Sequence, residues 1–135
     1  MKTSELQGEA LNWAVGVAQG MQWERDPYIG LYHRSPSGSR YVLKVLDYAT
    51  MDDWSLTPYA PTESWSVAGP IIEREEISIS REFASSRVEW AAWTPAPIRD
   101  DAEAFGYGPT ALIAAMRCYV ASVLGDTVDI PAELV

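Results

Sequence analysis

The side chains able to do chemistry in this 135-residue chain fall into a thin catalytic set and a rich binding set. His33 is the single histidine and Cys118 the single cysteine. Nucleophilic catalysis needs a nucleophile, an adjacent base and a group that orients the base, and no spacing of serine, histidine and acid here assembles one. Glu73 and Glu75, two apart in a segment read as extended, share a face and could divide acid and base roles if burial separated their pKa values. No nucleophile or substrate signature accompanies them, and pairing with nearby arginines or lying beyond the buried edge is the plainer reading. Asp52-Asp53 and Asp100-Asp101 could hold a divalent cation with help from water or phosphate, although adjacent carboxylates are common on solvated turns. The expectation is a non-catalytic protein with no cofactor and no metal.

Binding has better material. Six tryptophans and seven tyrosines exceed what one small core requires, so some should be partly exposed. An aromatic face stacks planar rings, and the fixed guanidinium fork of arginine pairs with phosphate. Tyr59 and Trp65 lie shortly before Arg74. Gly108 and Thr110 open the last helix, where backbone donors and the positive dipole end suit an anion. Arg117 falls two turns further on, placed either to reach a cleft or to tie that helix to Glu73 or Glu75. The predicted ligand set is therefore Tyr59, Trp65, Arg74, Gly108, Thr110 and Arg117: Trp65 stacks a base, Arg74 and Arg117 neutralise phosphate, and Thr110 with nearby amides orients it.

The elements that must position these residues begin with the clearest one. Gly108-Pro-Thr110 supplies start signals, Gly125 a left-handed stop, and Leu112, Ile113, Met116, Tyr119, Val120, Val123 and Leu124 a buried stripe, which predicts a helix over about 109–124. Ser4 with Gln7 fits a capping box, and Leu6, Ala10, Leu11, Ala14, Val17 and Ala18 continue one apolar face to Gly20. Strands are predicted at Tyr28–Tyr32 and Arg40–Leu46 on either side of the turn at residues 35–39. A proline-rich loop follows over 57–68. Ile71–Ser80 reads as a strand from the shared parity of Ile71, Ile77 and Ile79, returning through Ser85-Ser86 as a second strand over Val88–Trp93. Val128–Pro131 reads as an extended tail. The resulting fold class is α+β: one domain over 1–135, a curved antiparallel sheet of four or five short strands packed by the N-terminal and C-terminal helices.

Composition bounds the setting. The chain is 47% apolar, enough for one core without metals or disulfides. One unpaired cysteine suits a reducing cytoplasm, and neither a signal peptide nor an apolar run of membrane-spanning length is visible. The net charge of −9 is uneven: residues 1–50 are balanced, and the acidic excess lies downstream. That distribution disfavours direct DNA binding.

Three blocks together resemble the NinX-like family of phage accessory proteins: Lys2-Thr-Ser-Glu-Leu6 with the segment Gly8–Val15, Tyr59–Glu75 with its proline-tryptophan stretch, and Gly108-Pro-Thr110 with Leu112–Ser122. The resemblance implies a phage setting in an infected bacterial cytoplasm and names no substrate. With the aromatic and arginine content, it leads to the expectation of an accessory or counter-defence protein. Such a protein would sequester a small nucleotide-derived ligand without turning it over, as a homo-oligomer with pockets between subunits. The alternative is an acidic protein-interaction module acting on a host or phage replication or recombination enzyme. An exposed aromatic patch rimmed by carboxylates would favour that alternative, and an aromatic cleft with convergent arginines would favour the ligand.

Overall fold

The computed structural model describes residues 1–43, 56–84, 87–95 and 104–135. Its elements are α1 (Gly8–Ala18), β1 (Glu24–Asp26), β2 (Gly30–Arg34), β3 (Arg40–Val42), β4 (Leu56–Pro58), α2 (Trp65–Arg74), β5 (Ser78–Ala84), β6 (Arg87–Trp93), β7 (Phe105–Gly108) and α3 (Ala111–Leu124), with single 3-10 turns at Thr3–Glu5 and Ala132–Leu134. The α+β class with helices at both ends holds. The expected single sheet is instead two among the described residues: β1-β2-β3-β4, whose last pair is parallel, and the antiparallel β5-β6-β7.

The last helix forms as its signals dictate. Thr110 Oγ1 accepts from the Ile113 amide at 3.1 Å, satisfying one of the orphan donors of the first turn, and Gly125 ends the helix at φ +88°. Leu112, Met116, Cys118, Tyr119 and Val120 are buried and Ile113 and Leu124 pack against the core, whereas Val123 is half-exposed and leaves the expected stripe. α3 packs on all three strands of the second sheet and also meets α1, α2 and the first 3-10 turn. Leu6, Leu11, Val15, Ile71 and Met116 fill the space between them as fully buried side chains, each worth about 1.5–3 kcal/mol of burial.

Several expectations change. The Ser4/Gln7 capping box does not form. Ser4 lies inside the first 3-10 turn, and Gln7 caps α1 without a side-chain bond. The strand expected at Tyr28–Tyr32 is displaced to Gly30–Arg34, because the Asp26 carboxylate accepts from the Tyr28 and Ile29 amides and holds that stretch in a turn. β3 spans only Arg40–Val42 and Leu43 is a buried bend residue; the rest of the expected strand, 44–46, with Asp52-Asp53, lies outside the described residues, as do Ser85-Ser86 and Asp100-Asp101. The expected 57–68 loop contains β4 and the start of α2.

The largest correction concerns Ile71–Ser80, which is two elements and not one strand. Ala68, Ile71 and Ile72 lie at helical spacing on α2, with Ala68 and Ile71 buried. The helix closes in a Schellman motif: the Glu76 amide bonds the Glu73 carbonyl at 3.2 Å and the Ile77 amide bonds the Ile72 carbonyl at 3.0 Å. The left-handed residue is Glu76, at φ +53°, where glycine is the usual occupant. A glutamate at the stop hides the helix end from sequence. Glu73 and Glu75 are consequently two apart on a helix end, about 200° around the axis from one another, and share no face.

Candidate functional site

The six predicted site residues have separate tasks in the fold. Tyr59 is 5% exposed, with its ring edge-on to Trp23 and Tyr41. Its hydroxyl donates to Gln19 Oε1 at 2.8 Å, and burial raises its pKa above the ordinary phenol value. His33 belongs to the same cluster, stacked on Tyr41. Trp65, by contrast, is 57% exposed at the first position of α2. Arg74 pairs with Glu75 at 3.2 Å and donates to the Tyr119 hydroxyl at 3.4 Å, with its guanidinium 6.0 Å from the Tyr119 ring centre. Gly108 is the last residue of β7. A Cβ there would press on the Ile113 side chain at 2.8 Å, so its smallness serves strand–helix packing. The Thr110 hydroxyl is engaged as the α3 cap.

Arg117 donates from Nε to the Leu6 carbonyl at 2.8 Å and from Nη1 to the Tyr107 carbonyl at 2.7 Å. It ties α3 to the N-terminal segment and to β7, and not to Glu73 or Glu75. Burial lowers its pKa, while the Glu89 carboxylate acts in the opposite sense. Arg117 and Tyr119 are two residues apart on one helix, hence about 200° apart around it. Arg74, held at Tyr119, and Arg117 therefore serve different sides of α3 and do not converge. Cys118 is buried and donates to the Ala104 carbonyl at 3.3 Å, and burial pushes its thiol pKa up to about 12.

A different set does converge around Arg117. Gly125 turns the chain out of α3 so that it runs beside the N-terminus: Lys2 and Thr127 form an antiparallel bridge. The Thr3 amide bonds the Asp126 carbonyl at 2.8 Å, Thr3 Oγ1 donates to the Gly125 carbonyl at 2.6 Å, and the terminal amine donates to the Val128 carbonyl at 3.0 Å. This clasp bounds an open cleft of about 230 Å³ whose lining includes Lys2, Ser4, Phe105, Arg117, Asp126 and Thr127. Two cations and two hydroxyls line one volume, with Phe105 of the β7 edge in its wall and Asp126 its carboxylate. Such a lining suits an anion that carries a flat apolar part.

β7 supplies a second feature. The Thr94 amide bonds the Ala104 carbonyl at 3.1 Å, so 94/104, and with it 92/106 and 90/108, are the bonded pairs of the β6–β7 ladder. The backbone groups of Phe105 and Tyr107 then point to the outer edge. Arg117 caps one of these groups, the Tyr107 carbonyl. Gly106 and Gly108 face α3, and a Cβ on Gly106 would fall on the Ala114 carbonyl and the Cys118 amide. Phe105 and Tyr107 take the opposite face and are 50% and 54% exposed.

The family model described as bacteriophage P22 NinX matches residues 2–123, most of the chain. The chain belongs to the phage NinX family. No curated protein shows a significant match to it. The NinX match includes all six residues expected to bind and ends at Val123, before Asp126 and Thr127 of the cleft. Among the described residues of this NinX-family chain, no helix is long and apolar enough to cross a membrane, and no three His, Cys, Asp or Glu side chains are grouped to hold a metal. Of the cleft residues, only Arg117 was singled out by sequence. Lys2, Phe105 and Thr127 come together through the chain ends, which periodicity does not encode. The available signal was the alternation Phe105-Gly-Tyr-Gly108, in which small residues on one face of a strand announce a close helix and push the aromatics to the other.

Proposed function

We propose that this phage NinX-family protein binds and sequesters a small nucleotide-derived ligand without turning it over, in the cleft at the joined chain ends. The observation that carries the reading is the meeting of Lys2, Arg117 and Phe105 around one open volume. Phe105 takes the stacking role expected of Trp65, and Lys2 stands beside Arg117 in the role expected of Arg74. Ser4 and Thr127 offer hydroxyls to phosphate or ribose oxygens.

Size narrows the ligand. The cleft volume of about 230 Å³ lies below the roughly 300–1,000 Å³ typical of pockets that enclose a drug-sized molecule. A phosphate with its sugar, or one ring with its phosphate, fits inside, and the remainder of a larger ligand lies at the open mouth. A second copy seated over the mouth would complete the enclosure, in keeping with the homo-oligomer expected from sequence.

The test is titration calorimetry of the full chain, tagged at its exposed C-terminus, against mononucleotides, cyclic mono- and dinucleotides and ADP-ribose. At least one should give heat and be recovered chemically intact, and Lys2→Glu should weaken it by tenfold or more. Absence of heat for the whole panel at millimolar concentration, or binding that Lys2→Glu leaves unchanged, rejects the reading.

A further inference from the structure

The cleft at the joined chain ends contains one acid among groups suited to an anion, and the backbone that carries this acid is fixed. The Asp126 carbonyl accepts from the Thr3 amide at 2.8 Å. On one side of it the Gly125 carbonyl accepts from Thr3 Oγ1 at 2.6 Å, and on the other Thr127 is bridged to Lys2. Asp126 is therefore held on both flanks where the chain crosses the N-terminal segment. The Asp126 and Lys2 side chains are exposed and line the same volume, and among the described residues neither is engaged in an ion pair. The two charges are held apart and each is open to a ligand.

An ionised carboxylate accepts hydrogen bonds and donates none. A phosphate offers it no donor and repels it, so the part of a bound nucleotide that meets Asp126 must be neutral and carry O–H or N–H groups. Phosphate has its own partners. Arg117 spends Nε on the Leu6 carbonyl and Nη1 on the Tyr107 carbonyl, which leaves its Nη2 and the Lys2 ammonium for the anion. The cleft holds about 230 Å³, room for a phosphate and the group bonded directly to it. In a nucleotide that group is the sugar. The two neighbouring hydroxyls of ribose present two donors on one side, which match the two oxygens of one carboxylate. An acid on the ribose hydroxyls is also how dinucleotide-binding folds read the sugar.

We propose that Asp126 reads the sugar of the sequestered nucleotide, accepting from its ribose hydroxyls, so that the cleft takes ribonucleotide-derived ligands in preference to their 2′-deoxy counterparts. The proposal rests on the sequestration reading above and narrows its ligand class. Lys2 and Arg117 supply affinity for either sugar through the phosphate, and Asp126 supplies the difference between the two. Loss of one hydroxyl removes one hydrogen bond to a charged acceptor.

The experiment is titration calorimetry of the full chain against ribonucleoside 5′-monophosphates, cyclic mono- and dinucleotides, and the 2′-deoxy counterpart of each. The wild-type protein should bind the ribose form more tightly by about tenfold or more, the effect of one hydrogen bond to a charged group. In Asp126→Ala the ratio of ribose to deoxyribose affinity should fall to about one, whereas Lys2→Glu should weaken both forms together and keep the ratio. Thermal melts verify that the Asp126→Ala protein is folded, which the exposure of this side chain and the backbone nature of its bonds to Thr3 lead one to expect. Equal binding of ribose and deoxyribose forms by the wild-type protein, or a ratio that survives Asp126→Ala, overturns the proposal and leaves sequestration standing. A preference among bases that Asp126→Ala erases, with the sugar ratio at one throughout, overturns it as well and assigns the carboxylate to a base amine. Absence of heat from every compound overturns both readings.

Discussion

Replacing Gly106 with alanine tests whether α3 lies on β7 as closely as the structure has it. The added Cβ would fall on the Ala114 carbonyl and the Cys118 amide and would stand 3.0 Å from the Cys118 Cα. All three are backbone atoms, with no side chain to swing aside. A carbon–oxygen contact settles at about 3.3–3.6 Å, so α3 must retreat by about 1 Å from the strand. A gap of that size forfeits a quarter to a half of the dispersion energy along the separated surfaces, and it opens beside Met116 and Cys118, both fully buried. Overpacking a well-filled core costs about 1–3 kcal/mol, and the rigidity of the obstacle sets this case at the upper end, about 3 kcal/mol. For a domain of this size that lowers the melting temperature by about 10 °C. Urea unfolding should show the midpoint falling with m unchanged. Gly69→Ala is the companion, since a Cβ there meets nothing within 4 Å, and its effect should stay within about 1 kcal/mol. If Gly106→Ala melts together with the wild-type protein, the close approach of α3 to β7 is refuted.

Other expectations rest on separate observations. Glu76→Gly should raise stability by about 0.5–1 kcal/mol, because the left-handed backbone costs a non-glycine residue about 1–2 kcal/mol and the flexibility of glycine returns part of the gain; a lower urea midpoint would contradict the Schellman stop at φ +53°. Asn12→Ala should destabilise by about 1–3 kcal/mol, since the buried Asn12 Oδ1 accepts from the buried Thr62 amide at 3.1 Å and its loss leaves that donor unpaired; an unchanged melt would remove Asn12 as the link between α1 and the segment preceding α2. Stability should decline in alkali. The Cys118 thiol is pushed up to about 12 from 9.0 and the Tyr59 phenol is raised from 10.0, so the unfolded chain loses these protons first. The stabilisation is complete below about pH 9 and is lost as pH rises towards 12. Urea midpoints measured from pH 8 to 11 should fall, and Cys118→Ala should flatten the first part of that fall.

The features legible in sequence were those whose signals are local. Thr110, the apolar residues from Leu112 to Val120 and Gly125 each act within a few residues, through a cap bond, a helical face and a left-handed turn, and the structure places that helix where these signals put it. The β5–β6 hairpin was legible from alternation, although its first strand begins at Ser78. α2 was hidden because Pro58, Pro61 and Pro70 read as loop and because Glu76 occupies a stop position where glycine would have marked it. β1 was hidden because Glu24, Arg25 and Asp26 carry no apolar pattern at all.

The predicted binding residues divide in the same way. Residue type told that arginines and aromatics were available for a planar anion, and the mean spacing of Tyr59, Trp65 and Arg74 put them near one another along the chain. Nearness along the chain is not nearness in space: a helix turns successive residues by about 100°, which sends Arg74 and Arg117 to different sides of α3, and the tight packing around α1 takes Tyr59 into the interior. By itself, then, the sequence determined the family, the α+β class, the last helix with its cap and stop, and the acidic balance, all of which follow from residue type and short-range spacing. Only the tertiary structure decided which cation meets which ring. Lys2, Phe105, Arg117 and Thr127 lie up to 125 positions apart and share a cleft because the chain ends are joined by backbone hydrogen bonds, a long-range pairing that no local pattern specifies.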